Sequence, residues 1–292
     1  MALPVNVLVT GGNAGIGYFT AEQLAEAGAR VVLGSRSRAK AETAAASIRA
    51  RVPGAVVRHT PLDLSDLPSL KSSVDGLEPL DAVVFNAGIA RDETSRLVSS
   101  DGHELMFATN HLGHFALTYW LAPLLTGARI ITVGSFAARS ERLDLADLQS
   151  TEDYDQKRAY GRSKLAQMSF GFELDRRLRA ARSDAMSVVV HPGGALDSLT
   201  PSRPGVHTRP ASTRIAGLLV HGKDDGARPA VHAALDPGVE GGQLWGPRQF
   251  GLRGRPHLEK PHAHMTDEQT AKVLWDKSCE LTGLDLGEVL GL

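Results

Sequence analysis

The stretch VNVLVTGGNAGIGYF, residues 5–19, predicts a buried strand that turns through glycines directly into a helix. Gly11, Gly15 and Gly17 have the spacing G-x-x-x-G-x-G, one residue wider than the usual dinucleotide fingerprint. A turn without side chains lets a pyrophosphate approach the N–H groups at the start of a helix. A plain strand-to-helix turn would use the same glycines, but their place between the first strand and the first helix favours a nucleotide site.

Short apolar runs alternate with longer helical patterns along the rest of the chain. This alternation predicts an α/β fold: a Rossmann-type, doubly wound parallel sheet with helices on both faces, in a single domain of residues 1–292. The predicted strands are 5–10, 29–35, 55–60, 81–86, 128–135, 186–193 and a short one at 241–246. The predicted helices are 17–28, one ending near Arg51, 103–125, 158–182, 212–220, 223–235 and one from about Thr266.

One segment interrupts the alternation. DSLTPSRPGVHTRPAST, residues 197–213, is rich in Pro, Ser and Arg, which is typical of a loop. Too little sequence follows it for an independent domain. We therefore expect a lid on the substrate side, at about 195–222, instead of a linker.

Composition limits the classes of partner. With 42% hydrophobic and 22% charged residues and a net charge of −1, nothing points to nucleic acid or an anionic membrane. Cys279 is the only cysteine, so no internal disulfide can form. The sequence starts without a signal-peptide pattern and has no apolar run of membrane-spanning length. We expect a cytoplasmic protein without membrane insertion.

The residues at the end of the second predicted strand indicate which dinucleotide, NAD(H) or NADP(H), the site would bind. An NAD site usually has an acidic residue about 20 residues after the glycines, to bind the ribose 2′-hydroxyl. Here the sequence is LGSRSRAK, with Ser35 and Arg36 and no acid. A guanidinium pairs with a 2′-phosphate that a carboxylate would repel. NADP(H) is therefore favoured over NAD(H), although Arg38 and Lys40 also suit an ordinary solvated helix.

Polar residues and glycines follow each of the first six predicted strands. They are Gly11, Ser35 with Arg36, Asp63, Asn86, Ser135, and Pro192 with Gly193. The carboxyl ends of parallel strands form the edge at which open α/β sheets bind ligands. Asp63 has an alternative role as the cap of the following helix, and it could serve both.

The stretch RAYGRSKLAQ, residues 158–167, places Tyr160 four residues before Lys164 on a predicted helix. This spacing puts both side chains on one face. Lys164 could be a solvated surface charge beside a packed aromatic ring. An ammonium near a phenol also stabilises the phenolate, which is what a proton-exchanging tyrosine needs at neutral pH.

Six motifs, in the same order along the chain, resemble those of the short-chain dehydrogenase/reductase family. Their sequences are most similar to those of its retinol-dehydrogenase-like and carbonyl-reductase-like members. The similarity covers residues 5–194 closely and later segments more loosely. The motifs are TGGNAGIG (10–17), FNAGIA (85–90), TNHLGHFALT (109–118), VGSFAA (133–138), YGRSK (160–164) and HPGG (191–194).

The resemblance implies roles for individual residues. Tyr160 would be the general acid/base, with Lys164 making it more acidic and binding the nicotinamide ribose. Ser135 would hydrogen-bond the substrate oxygen, and Asn110 would hold a water in a proton relay through Lys164. The implied cofactor-binding set is Gly11, Asn13, Gly15, Ile16, Gly17, Ser35, Arg36, Asp63, Leu64, Asn86, Ala87, Gly88, Tyr160, Lys164, Pro192 and Gly193.

The sequence departs from the family pattern in two places. Asp197 stands where the family often has a threonine that binds the nicotinamide carboxamide, so no residue after Gly193 is assigned to that task. Phe85 replaces a common asparagine before Asn86. His111 and His114 lie three residues apart but have no acidic or Cys partner, so we expect core histidines and no metal site.

The expected function is an NADP(H)-dependent oxidoreductase that interconverts a ketone or aldehyde with an alcohol. Phe136, Leu143, Tyr154, Leu196 and the 197–213 loop are expected near a bulky apolar small-molecule substrate. A non-catalytic dinucleotide sensor would have substitutions among the four catalytic positions, Asn110, Ser135, Tyr160 and Lys164, which here are intact. An epimerase or dehydratase would have a larger domain after the sheet. Substrate identity, direction, stereochemistry and oligomeric state, including a homo-oligomer, stay open.

Overall fold

A computed structural model describes residues 5–90, 94–208 and 219–291. In these residues eight strands form one sheet in the order β3-β2-β1-β4-β5-β6-β7-β8. Neighbouring strands pair in parallel up to β7, and β8 is antiparallel to β7. The strands are β1 (Asn6–Thr10), β2 (Arg30–Ser35), β3 (Val57–Pro61), β4 (Ala82–Phe85), β5 (Arg129–Val133), β6 (Met186–Val190), β7 (Leu244–Gln249) and β8 (Arg253–Glu259).

Helices cover both faces of the sheet, which confirms the predicted doubly wound α/β fold. The α-helices of the described residues are α1 (Gly15–Glu26), α2 (Arg38–Arg51), α3 (Leu70–Ser73), α4 (Leu105–Phe107), α5 (Gly113–Leu121), α6 (Gln156–Ala180), α7 (Lys223–Leu235), α8 (Glu268–Thr282) and α9 (Leu286–Leu290). None of the helices described here is long and apolar enough to cross a lipid bilayer.

The alternating side chains of the buried strands build two cores. In β1, Val7 and Val9 face a core made with α1, α2 and α7. Leu8 between them faces the other core, made with α3, α5, α6, α8 and α9. Successive residues of a strand point to opposite faces, so a strand covered on both sides must be apolar throughout. This is why the strands read as continuous apolar runs.

Two regions differ from the sequence-based expectation. The strand β8 was not predicted, because its residues RGRPHLE lack an apolar alternation and it lies at the sheet edge. His257 is part of this strand. The predicted helix at 212–220 falls largely outside the described residues, and the described residues 219 and 220 are not helical.

The long helix predicted at 103–125 is interrupted. A π-helical segment, Ala108–Leu112, joins α4 to α5, and it includes Asn110 and His111. Both His111 and His114 are fully buried, which confirms the prediction of core histidines. The Nε2 atom of His111 lies 2.8 Å from Ser278 Oγ. Burial lowers the pKa of each histidine to about 3, because the cation would be desolvated.

Neutral buried histidines make stability depend on pH. In the unfolded chain a histidine takes up a proton near pH 6.5, whereas His111 in the folded protein does so only near pH 3. The free energy of unfolding therefore falls as the pH is lowered through this window. The free energy of unfolding should decrease between pH 7 and pH 5 by roughly 1–2 kcal/mol less in His111→Gln than in the wild type. Urea unfolding at both pH values measures this difference.

The exposed His257→Gln is the matched control, because it removes a histidine without emptying a buried position. An equal pH dependence in His111→Gln and wild type would contradict the assignment of a neutral His111.

Candidate active site

A cleft of about 540 Å³ lies at the carboxyl ends of the central strands. The sheet order places β4 beside β1, so the chain crosses to the other half of the sheet there. The turns after β1 and β4 therefore diverge and leave a crevice between them, as in other open α/β sheets. The predicted site residues that line the cleft are Gly11, Asn13, Gly15, Ile16, Ser35, Arg36, Asp63, Leu64, Asn86, Ala87, Gly88, Ser135, Tyr160, Lys164 and Pro192.

The glycine-rich turn needs glycine for two different reasons. Gly11 and Gly15 have φ values of +67° and +57°, which residues with a Cβ rarely adopt. Gly17 is buried and does not line the cleft. A Cβ there would collide with the carbonyl oxygen of Gly11 and with Nδ2 of Asn86. Gly17 thus lets the first turn of α1 pack closely, and it does not form a wall of the cleft.

Hydrogen bonds join the ends of β1 and β4. Asn86 Nδ2 donates to the Thr10 carbonyl at 3.0 Å, and the Ala87 N–H donates to Thr10 Oγ1 at 2.9 Å. Gly88 follows, and a Cβ there would lie 3.0 Å from Lys164 Nζ. The predicted N-A-G turn therefore forms part of the cleft wall without a side chain that would displace Lys164.

The donor set fits a nicotinamide dinucleotide. The helix α1 begins after Ala14 without a side-chain cap, so its first N–H groups are available to an anion. Thr109 Oγ1 is buried, lines the cleft and has no hydrogen-bond partner among the described residues. Arg36 is exposed at the cleft and forms no ion pair within the described part of the chain. A polyanionic ligand with hydroxyl and amide groups would satisfy these groups.

Lys164 is the buried cation of the site. Its Nζ donates to the Val133 carbonyl at 3.0 Å and to Gln167 Oε1 at 2.8 Å. Burial lowers the pKa of Lys164 to about 8, because the ammonium loses solvation. Tyr160 precedes it by one turn of α6 and lines the same cleft. The predicted face of the helix is thus turned toward the cleft, and Lys164 is no solvated surface charge.

Ser135 follows β5 and begins a short 3₁₀ turn, Phe136–Arg139. Its Oγ accepts from the Ala137 N–H at 3.2 Å. The hydroxyl proton has no acceptor among the described residues, so Ser135 can donate to an oxygen in the cleft. Phe136 is 39% exposed beside it.

The side chain of Asn110 supports the turn after β4. Its Oδ1 accepts from the Ile89 N–H at 2.8 Å, and its Nδ2 donates to the Ile89 carbonyl and to Ser163 Oγ at 3.0 and 2.9 Å. It is fully buried and does not line the cleft. These three bonds to protein groups position the turn after β4, and the expected part of Asn110 in a water relay stays a prediction.

Three further residues make contacts that the sequence did not show. Gly193, with φ +68°, packs against Pro247 and Leu252 of the β7–β8 hairpin and does not line the cleft. Asp63 caps no helix: its Oδ1 accepts from Ser65 N–H and Oγ, whereas Asp66 precedes the next helical turn. Leu143 packs against two core clusters.

The described part of the 195–222 loop is attached to α1. Arg203 forms hydrogen bonds of 2.7 and 2.6 Å with the two carboxylate oxygens of buried Glu22. At the end of the loop, Lys223 begins α7 and lines the cleft. Sequence reasoning missed Lys223, because no local pattern shows that α7 lies beside α1.

Comparisons with known proteins agree with this geometry. Residues 5–198 match the sequence profile of the family described as short chain dehydrogenase. Retinol dehydrogenase 12 from Homo sapiens is 35% identical over 290 residues, which cover 95% of this chain and 86% of the relative. Polyprenol dehydrogenase from Homo sapiens is 32% identical over 289 residues, with 95% and 84% covered. The crystal structure of an uncharacterised protein from Mycobacterium paratuberculosis is 36% identical, with a TM-score of 0.79 and coverage of 97% and 96%.

The fold is that of a family of enzymes that bind a nicotinamide dinucleotide. The chain belongs to the short-chain dehydrogenase/reductase family and is retinol-dehydrogenase-like. It is accordingly an oxidoreductase that acts on CH–OH groups of small molecules.

Asn110 provides a test of how the site is held together. We expect Asn110→Ala to lower the free energy of unfolding by roughly 2–3 kcal/mol, because it leaves buried partners without hydrogen bonds. It should also weaken dinucleotide binding, since the turn at residues 86–89 loses its support. Urea unfolding and fluorescence titration measure the two effects.

Ser163→Ala removes one of the three bonds that the Asn110 side chain makes and should have a smaller effect on both quantities. If Asn110→Ala were as stable as the wild type and bound dinucleotide equally well, Asn110 would not position this turn.

Proposed function

We propose that this enzyme is NADP(H)-dependent and interconverts a ketone or an aldehyde with an alcohol. The observation that supports this most is the convergence of Ser135, Tyr160 and Lys164 on the cleft that the glycine-rich turn forms. Their three side chains come from the turn after β5 and from α6, both of which are fixed by the sheet.

The three residues divide the work on the substrate oxygen. A bound nicotinamide supplies or accepts the hydride. Tyr160 exchanges a proton with the substrate oxygen, donating it in reduction and accepting it in oxidation. Ser135 donates a hydrogen bond to the same oxygen and orients it. Lys164 lies one turn after Tyr160 on α6 and brings a buried ammonium to the same cleft.

Arg36 supports the preference for NADP(H). It lies at the end of β2, lines the cleft and is exposed, and no acidic residue occupies this strand end. Arg38, two residues on, is instead paired with Glu42 at 2.7 Å and does not line the cleft. A guanidinium without an ion pair among the described residues suits the adenosine 2′-phosphate at this place.

A bulky apolar substrate is supported by two observations. Phe136 and Leu196 are 39% and 40% exposed, and they follow Ser135 and the turn after β6. The relatives are named for retinol and polyprenol, which are apolar alcohols. We therefore propose an apolar alcohol or the corresponding carbonyl compound as the substrate class.

Arg36→Ala tests the cofactor assignment. We expect wild type to bind NADPH more tightly than NADH, and the variant to lose roughly 10- to 100-fold in NADPH affinity, because the 2′-phosphate loses its cation. NADH affinity should change little. Fluorescence titration of both cofactors gives the two dissociation constants.

Arg38→Ala is the matched control and should retain the NADPH preference, since its guanidinium is paired away from the cleft. Equal binding of the two cofactors by the wild type would contradict the NADP(H) assignment.

Tyr160→Phe tests the proton transfer. We expect kcat to fall by roughly 10²- to 10⁴-fold on a panel of apolar aldehydes and ketones, the usual contribution of a general acid. NADPH affinity should be nearly unchanged, because only a hydroxyl is removed. Tyr119→Phe, on α5 and outside the cleft, should keep full activity. Wild-type turnover in Tyr160→Phe would remove the tyrosine from the mechanism.

A further inference from the structure

We propose that Lys223 binds the diphosphate of the dinucleotide. This proposal rests on the proposed function, because it assumes that a dinucleotide binds in the cleft. Among the cleft-lining side chains of the described residues, three are cationic: Arg36, Lys164 and Lys223. Arg36 lies at the end of β2, and Lys164 is held on α6 by two neutral oxygens. Lys223 is the one that lies beside the glycine-rich turn.

The position of Lys223 follows from the packing of α7 on α1. Gln23 on α1 donates from Nε2 to the Asp224 carbonyl at 2.7 Å, which fixes the first turn of α7. The nearest atoms to the place that a Cβ on Gly15 would occupy are Cδ and Nζ of Lys223, both at 3.9 Å. The ammonium therefore faces the turn whose N–H groups begin α1. An anion held by those N–H groups would lie within reach of Nζ.

The backbone of Lys223 is anchored independently of its side chain. Its N–H donates to Thr200 Oγ1 at 2.9 Å, and Thr200 Oγ1 donates to the Leu196 carbonyl at 2.7 Å. Thr200 is fully buried. The preceding Gly222 permits the close approach, because a Cβ there would lie 2.7 Å from the Leu199 carbonyl oxygen. The lysine stem thus starts from a fixed point at the cleft.

The charge partner of Lys223 leaves it free to bind a second anion. Nζ lies 2.6 Å from Asp197 Oδ1, and this carboxylate is 54% exposed and also lies 3.5 Å from His207 Nδ1. An ion pair with an exposed carboxylate stabilises little. An ammonium has three donors, so one can stay with Asp197 while another reaches a phosphate oxygen. Asp197 also stands where the family resemblance led to the expectation of a threonine.

The test is the affinity of Lys223→Met for three ligands, followed by fluorescence or calorimetry. NADPH and NADH share the diphosphate, so both should bind roughly tenfold more weakly and by the same factor. The loss should shrink at high salt, because it is a loss of charge attraction. Adenosine 2′-monophosphate has no diphosphate, so its affinity should be unchanged. Lys223→Arg should recover most of the dinucleotide affinity.

Arg228→Met is the matched control. Arg228 lies on the same helix, outside the cleft, and pairs with Asp225 at 2.7 Å. Its replacement should leave all three affinities unchanged, and thermal unfolding of each variant verifies the fold.

Three results would overturn the proposal: unchanged dinucleotide affinity in Lys223→Met, an equal loss in Arg228→Met, or an equal loss for adenosine 2′-monophosphate. Failure of the NADP(H) assignment is recognised separately, because the wild type would then bind NADH as tightly as NADPH. If the wild type shows no preference for NADPH, the NADH affinities of the wild type and Lys223→Met still test the role of Lys223. A wild type that binds neither dinucleotide would overturn both proposals.

Discussion

The closeness of the turn after β1 to the turn after β4 is the constraint on which the site depends. Gly17 has no room for a Cβ against the carbonyl oxygen of Gly11 and the amide of Asn86. Thr10 Oγ1 accepts a hydrogen bond from the Ala87 N–H, and the backbone carbonyl of Thr10 accepts one from Asn86 Nδ2. If this contact opened, the first turn of α1 and the wall of the cleft would move together. The first turn of α1 and the cleft wall beside Lys164 are therefore one structural unit.

A chain of buried hydrogen bonds connects these two turns to Lys164. Lys164 Nζ donates to Gln167 Oε1, and Gln167 Nε2 lies 3.2 Å from His114 Nδ1. His114 Nε2 lies 3.0 Å from Thr10 Oγ1, at the end of β1. Such a chain is stable in the core only while its members are paired and His114 stays neutral. The low pKa of His114 meets that condition across the working pH range.

The features that could be predicted from the sequence are those that depend on local sequence patterns. Apolar runs predicted the parallel strands, and glycine spacing predicted the turn after β1. The positions after each strand predicted most of the cleft wall, because parallel strands bring their carboxyl ends to one edge. Long-range packing decided the rest. Asn110 finds its partners at Ile89 and Ser163, and Lys223 reaches the cleft only because α7 lies along α1.

The hydrogen-bond partners of Lys164 explain how the core holds a cation at the cleft. Its two acceptors are the neutral oxygens of Val133 and Gln167, and burial is the cause of its lowered pKa. A carboxylate at this place would have raised the pKa and neutralised the charge locally. Neutral acceptors orient the ammonium but leave its field uncompensated. Tyr160 lies one turn earlier on α6 and lines the same cleft, so its ring and the ammonium share one face of the helix.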